Sequence, residues 1–264
     1  MQKIVFSDVD GTLLNSEHEL TALNREAIKS LEEQDIPFVI VSARSPSGIY
    51  SILKEYDFRC PIVSYSGALI MDIDGKVLYH KGMPVSEAVK IVRYIENSQL
   101  PVIWNVFSYD QWITPDRTHP DVITEEGIVK TQAQEGSIED IKGDEVHKIF
   151  CMCKPGTIWA VEEQLKKVFP QYSIMKSSST LLEIMKAGVA KSDAVKVLCD
   201  LWDVPVENTA AFGDNYNDVE MLEAAGHGFI MANAPEELLK KFPEHARSND
   251  EDGIYHALRE LKYI

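Results

Sequence analysis

The first apolar run, Ile4-Val5-Phe6, has no polar residue alternating through it, so a strand built from it has two faces to bury. Such a strand belongs inside a parallel sheet with helices on both sides. The run stops at Ser7-Asp8-Val9-Asp10-Gly11-Thr12, which puts two carboxylates where the chain leaves the sheet. In open parallel sheets that carboxyl-end edge is where ligands bind. Two acids placed there repel each other, and a hard divalent cation with oxygen ligands is the natural partner.

Helix and strand signals then alternate. Thr21 is an N-cap candidate for a helix with Leu23, Ala27, Ile28 and Leu31 on one face. Residues 36–41 read as a second buried strand that ends at Ser42-Ala43-Arg44. A helical stretch and a strand at 61–64 follow. Residues 69–80 hold Asp74-Gly75 between two strand-like runs, a hairpin turn signal.

The pattern changes after that. Residues 85–97 predict an amphipathic helix with Ala88, Ile91, Val92 and Ile95 inward. Residues 101–114 and 146–153 look like strands separated by a polar, acidic segment. A helix at 157–169 precedes two short strands, at 172–176 and 181–185. Neighbouring strands without helices between them mark an antiparallel α+β module. From Lys191 the first pattern returns: a helix, a strand at 209–213, a helix, a strand at 228–231, and helices from Pro235 and at 252–261. The expected fold is α/β, a doubly wound, mostly parallel Rossmann-like sheet. Its core is residues 1–82 and 188–264, and residues 83–187 form an inserted α+β cap domain.

Charge narrows the partners. A net charge of −16 over 264 residues argues against nonspecific nucleic-acid binding and against docking on anionic membranes. An anionic ligand therefore has to be captured by local cations and backbone amides. Cys60, Cys151, Cys153 and Cys199 have no zinc-finger spacing and read as reduced, buried small hydrophobes. The seven histidines show no ligand spacing and read as structural or exposed. No leader-like or membrane-spanning run is apparent, so a cytoplasmic protein is expected, as a monomer or homodimer.

A doubly wound sheet would bring four chemical groups to one edge: Asp8 with Asp10, Ser42, Lys191, and the segment Gly213-Asp214-Asn215-Tyr216-Asn217-Asp218. They supply a carboxylate nucleophile, a second acid, a hydroxyl, an ammonium and another acidic pair. That set suits phosphoryl transfer, where catalysis is mostly positioning and neutralisation of charge on oxygen. Each group has a plainer reading. Asp-x-Asp-Gly recurs at Asp72-Ile73-Asp74-Gly75 in the hairpin. The first copy could open a calcium loop closed by Glu19, although Leu13 stands where that loop needs glycine. Ser42 alone suits a solvated loop, Lys191 a helix start, and Asp218 the capping of its own helix.

With these motifs in this order, the chain resembles the haloacid dehalogenase-like hydrolases, specifically their Cof-type phosphatases with a large inserted cap. Asp8-Val9-Asp10-Gly11-Thr12 matches the first motif and Gly213-Asp214 through Asn217-Asp218 the fourth. Val41-Ser42-Ala43-Arg44 departs from the commoner Thr-Gly-Arg, and Ser66-Gly67-Ala68 stands where Asn-Gly-Ala is usual. The resemblance implies a Mg²⁺-dependent phosphatase acting on small phosphorylated metabolites such as sugar phosphates. Asp8 would be the nucleophile of an aspartyl-phosphate intermediate and Asp10 the general acid and base. Mg²⁺ would be held by Asp8, Asp214 and the backbone carbonyl of Asp10, with Asp218 just outside. The Ser42 hydroxyl, Lys191, Asn217 and the amides near Val9 and Ala43 would gather phosphate oxygens.

Arg44, Ser66 and Gly67 are candidate substrate contacts. Asp110, Trp112, Arg117 and His119 are further candidates in a mobile cap that selects the leaving group. A phosphomutase of the same fold is an alternative, since it differs in what accepts the phosphoryl group. A non-turnover phospho-acceptor module is another, although Asp10 beside the nucleophile favours turnover. A dehalogenase or phosphonate hydrolase lacks the acid that protonates an alkoxide.

Overall fold

In the computed structural model, which describes residues 2–264, the first strand is Ile4–Ser7 and is buried along its length. It lies inside an eight-stranded sheet. The order is Glu244–Ala246, His227–Met231, Thr209–Gly213, Ile4–Ser7, Phe38–Val41, Ile62–Ser64, Leu69–Met71 and Val77–His80. Neighbours from Glu244–Ala246 through Ile62–Ser64 run parallel, and Leu69–Met71 pairs antiparallel with Ile62–Ser64. Phe6 stands opposite Ala211 on one side and Val39 on the other. On one face these residues meet Val195 and Leu198 of the helix Ser192–Trp202. The helix Ala22–Glu33 starts at Thr21, whose hydroxyl accepts the Asn24 amide, and buries Ala27, Ile28 and Leu31. Both layers required by the all-apolar strand are present.

The described residues divide into two compact units. One comprises the chain through Ala43, Leu53–Tyr79 and Ala190–Ile264; the other comprises Arg44–Ile52 and His80–Val189. The second unit has a six-stranded sheet in the order Tyr172–Lys176, Leu181–Lys186, Lys148–Cys153, Val102–Ser108, Gln111–Thr114 and Gln134–Glu135. All its pairs are antiparallel except the last. The helix Val85–Asn97 buries Ala88, Ile91, Val92 and Ile95, as its periodicity predicts. Burying each of the two isoleucines contributes about 1.5–3 kcal/mol. Cys151 and Cys153, two residues apart on a strand, enter the same cluster, and all four cysteines are free and buried.

Some elements differ from expectation. The polar segment between the first two cap strands contains a helix, Pro120–Val129. His119 caps it and Pro120 opens it, but only Val122 is buried, so it has no apolar stripe to read. Residues 101–114 are two strands, broken at Tyr109 in left-handed conformation (φ 50°). The edge strand Glu244–Ala246 had no sequence signal. Among the described residues, no helix is long and apolar enough to cross a membrane.

Candidate active site

The chain leaves strand Ile4–Ser7 at Asp8, whose amide donates to the Phe212 carbonyl of the neighbouring strand at 3.0 Å. Asp8 is only 8% exposed. The next turn is tight: the Val9 carbonyl accepts the amides of Thr12, Leu13 and Leu14. Gly11 makes that turn at φ +82°, and a Cβ there would stand 2.5 Å from Asp214 Oδ2, so only glycine fits. Asn233 donates to the Gly11 carbonyl at 2.8 Å and Asn249 to the Leu14 carbonyl at 2.9 Å. Those two asparagines hold the loop and had no motif to announce them.

Asp214 leaves strand Thr209–Gly213 beside this turn, and its Oδ1 accepts the Thr12 hydroxyl at 2.9 Å. Asp218 is fully buried. One of its oxygens takes the amides of Asp214 (3.1 Å) and Asn215 (3.0 Å), and the other takes Lys191 Nζ at 2.6 Å. Lys191 also donates to Asp8 Oδ1, and its side chain has no exposure. It stands at the cap position of helix Ser192–Trp202, next to the backbone of Ala190. Gly67, at φ +110°, lies so close to Ala190 that a Cβ would meet the carbonyl at 2.2 Å. The Ser66 amide bonds the Ser42 carbonyl at 2.9 Å, while the Ser42 amide bonds Val63. Tyr65 and Ser66 are both left-handed, a costly conformation for residues with a Cβ.

The first unit therefore gathers Asp8, Val9, Ser42, Ala43, Ser66, Gly67, Asp214 and Asp218 at the carboxyl ends of its strands or the loops beyond them, with Lys191 joining from the start of helix Ser192–Trp202. Asn217 is exposed on the short turn Tyr216–Asp218. The Asp10 side chain is exposed, and His18 Nδ1 approaches it at 3.9 Å. Arg44 groups with the second unit.

The cap candidates each have a local partner. Asp110 accepts the amide and hydroxyl of Ser47. Trp112 is buried, bonds Asn105 and stacks on Phe107. Arg117 pairs with Glu126, and His119 caps its helix.

Carboxylate oxygens of Asp8, Asp214 and Asp218 lie within 4.8 Å of one another. Burial pushes Asp8 up to about 8, and the charges of Asp218 and Asp214 push the same way against the pull of Lys191. Burial likewise raises Asp214 to about 6, opposed by the Thr12 hydrogen bond and assisted by Asp218. Burial alone would lower Lys191, but the charges of Asp8 and Asp218 outweigh it and raise the ammonium. Three acids around one ammonium leave an excess of negative charge in a poorly solvated place. An all-oxygen set with that excess fits a hard divalent cation.

The sequence matches the haloacid dehalogenase-like hydrolase family over residues 5–258. A Haemophilus influenzae protein, named provisionally as a phosphatase, is 33% identical over 260 residues, covering 98% of each chain. The Bacillus subtilis 5-amino-6-(5-phospho-D-ribitylamino)uracil phosphatase YwtE is 27% identical over 286 residues, with 98% of each chain covered. The crystal structure of a haloacid dehalogenase-like hydrolase from Bacteroides thetaiotaomicron superposes with a TM-score of 0.89 at 27% identity. It covers 99% of this chain and is itself covered completely. The chain belongs to the haloacid dehalogenase-like hydrolase family, as an enzyme of its Cof-type phosphatase group.

Proposed function

We propose that the protein is a Mg²⁺-dependent phosphomonoester hydrolase for small phosphorylated metabolites, working through an aspartyl-phosphate on Asp8. The observation that carries this reading is the Asp8 carboxylate, buried at a strand end and hydrogen-bonded to Lys191. Asp8 attacks phosphorus, and the bond from phosphorus to the leaving oxygen breaks. Asp10, more exposed than Asp8, donates a proton to that oxygen. Water then attacks the phosphorylated Asp8, Asp10 takes the water's proton, and inorganic phosphate leaves with the Asp8 carboxylate restored.

Asp8, Asp214 and the Asp10 carbonyl are the groups that would hold Mg²⁺, with Asp218 behind them. Bound there, the ion supplies positive charge to the phosphate oxygens. Lys191 does the same from the protein side, and Asp218 fixes where its ammonium points. The Ser42 hydroxyl, Asn217 and the amides near Val9 and Ala43 are assigned to the remaining phosphate oxygens. Gly67 and Ser66 hold the backbone that carries Ser42 and Lys191 in place.

The Bacillus relative is named for a phosphorylated ribityl compound, which supports a small polyol or sugar phosphate as substrate. Choice of leaving group is assigned to the second unit. The test is a screen of sugar phosphates, nucleotides and cofactor phosphates with Mg²⁺, run beside Asp8→Asn. Turnover of at least one metabolite phosphate by the wild type, lost in the variant, is expected. Equal turnover by both proteins would remove the covalent mechanism.

A further inference from the structure

The histidines have no ligand spacing in the sequence, yet the fold of the second unit brings two of them to one carboxylate. Glu145 lies in the short strand Glu145–Val146 and His147 follows, so the two side chains sit two residues apart. His80 ends strand Val77–His80, and its Nδ1 is 3.0 Å from Glu145 Oε2. One ligating atom from each of the three lies within 4.8 Å of those of the other two. Burial is graded across the group: His147 is fully buried, Glu145 half-buried and His80 exposed. A solute therefore has a way in from the His80 side.

The groups are held before any ligand arrives. Glu145 Oε2 also accepts the Gly82 amide at 2.7 Å. His147 Nδ1 accepts the Tyr109 amide at 3.0 Å, and the Tyr109 ring packs edge-on against the imidazole. Two imidazoles and one carboxylate make the donor set of open zinc sites, in which a fourth position is left for water. Nitrogen donors favour Zn²⁺, Co²⁺ or Ni²⁺ over Mg²⁺, whereas the carboxylate cluster of the first unit has the opposite preference.

We propose that His80, Glu145 and His147 bind a divalent transition metal, with Zn²⁺ the best match. The ion would join the segment entering the second unit at His80 to the strand that carries Glu145. One structural consequence follows whichever nitrogen of His147 binds. At Nδ1 the metal takes the lone pair now used by the Tyr109 amide. At Nε2 the ring proton moves to Nδ1, which then cannot accept that amide. Either way the Tyr109 N–H loses its partner, and its signal reports occupancy.

The test uses the full chain, stripped with chelator and returned to millimolar Mg²⁺ so that the carboxylate cluster is supplied with its own ion. Zn²⁺ is then titrated calorimetrically and Co²⁺ by visible absorption. One equivalent binding with micromolar or tighter affinity is expected, and the Tyr109 amide resonance moves on saturation. His80→Asn and Glu145→Gln, both outside the buried core and checked for folding by circular dichroism, each weaken Zn²⁺ by more than roughly 10- to 100-fold, the loss typical of an outer partner alone. No uptake in Mg²⁺, uptake that both variants retain, or an unmoved Tyr109 amide would overturn the assignment. The readout is binding rather than turnover, so the outcome is independent of the hydrolase reading.

Discussion

The pattern Asp-x-Asp-Gly occurs twice in the first unit, and the two copies share even a backbone turn: Gly11 and Gly75 have φ of 82° and 81°. Their surroundings differ. In Asp8–Gly11 the middle residue, Val9, is fully buried, the first acid faces Lys191, and two more carboxylates crowd it. In Asp72–Gly75 the middle residue, Ile73, is 45% exposed. Asp72 closes its own turn by accepting the amides of Asp74 and Lys76, and Asp74 pairs with Arg59. One copy ends a central parallel strand; the other links the last two strands at one side of the sheet. The same four-residue pattern is part of a buried acid cluster in one place and an exposed turn in the other, and the strand it ends makes the difference.

The sharpest break between the copies is by substitution. Asp8→Asn is expected to lower turnover by about a thousandfold or more while the fold persists. Asp72→Asn is expected to leave turnover within twofold. Comparable losses in steady-state assays of the two variants would mean that placement at the strand end carries no chemistry. Asp10→Asn separates the two acids within the first copy. It is expected to slow single-turnover phosphorylation by an alkyl phosphate roughly 100-fold or more, and by a nitrophenyl phosphate far less, because nitrophenolate leaves without a proton. Equal slowing of both would remove Asp10 as general acid.

A smaller effect concerns stability. Asp214 has a value of about 6 in the folded state, above the ordinary 3.8. Between those values the folded state keeps a proton that the unfolded chain has released, and above them the ionised group destabilises the fold. Asp214→Asn is thus expected to stabilise the metal-free protein by about 1–2 kcal/mol above pH 6, allowing for its partial exposure. The gain should shrink as pH falls toward about 4. Urea unfolding in chelator across that range measures it, and a gain independent of pH would contradict the assignment of the cost to a buried, ionised Asp214. Smallest of all, Asp72→Ala removes only a turn and is expected to cost about 1 kcal/mol in the same assay.

Much of this was legible in the sequence because apolar runs and motif order are local. The strand at Ile4–Ser7, the cap helix Val85–Asn97 and the return of alternation at Lys191 all declare themselves within a few residues. Convergence of Asp8, Lys191 and Asp214 followed from two strand ends and one helix start, as a doubly wound topology requires. What escaped depends on distant partners. Asn233 and Asn249 serve backbone carbonyls of the first loop, and no spacing relates them to residues 11–14. Trp112 and Arg117 are candidate ligand contacts by residue type, and their partners Asn105 and Glu126 were not readable from spacing. The helix Pro120–Val129 was unreadable because it buries a single side chain.

Lys191 and strand Thr209–Gly213 both flank Asp8, and this has a consequence for the newborn chain. Strand Ile4–Ser7 leaves the ribosome long before its partner on one side, which emerges only with residues 209–213. At typical synthesis speeds that wait is roughly 10–40 s. The second unit, whose His80–Val189 stretch is continuous, is synthesised entirely within it. Asp8 is thus made long before the neighbours that surround it, and a chain cut short anywhere between Asp8 and Lys191 carries Asp8 without the ammonium that faces it.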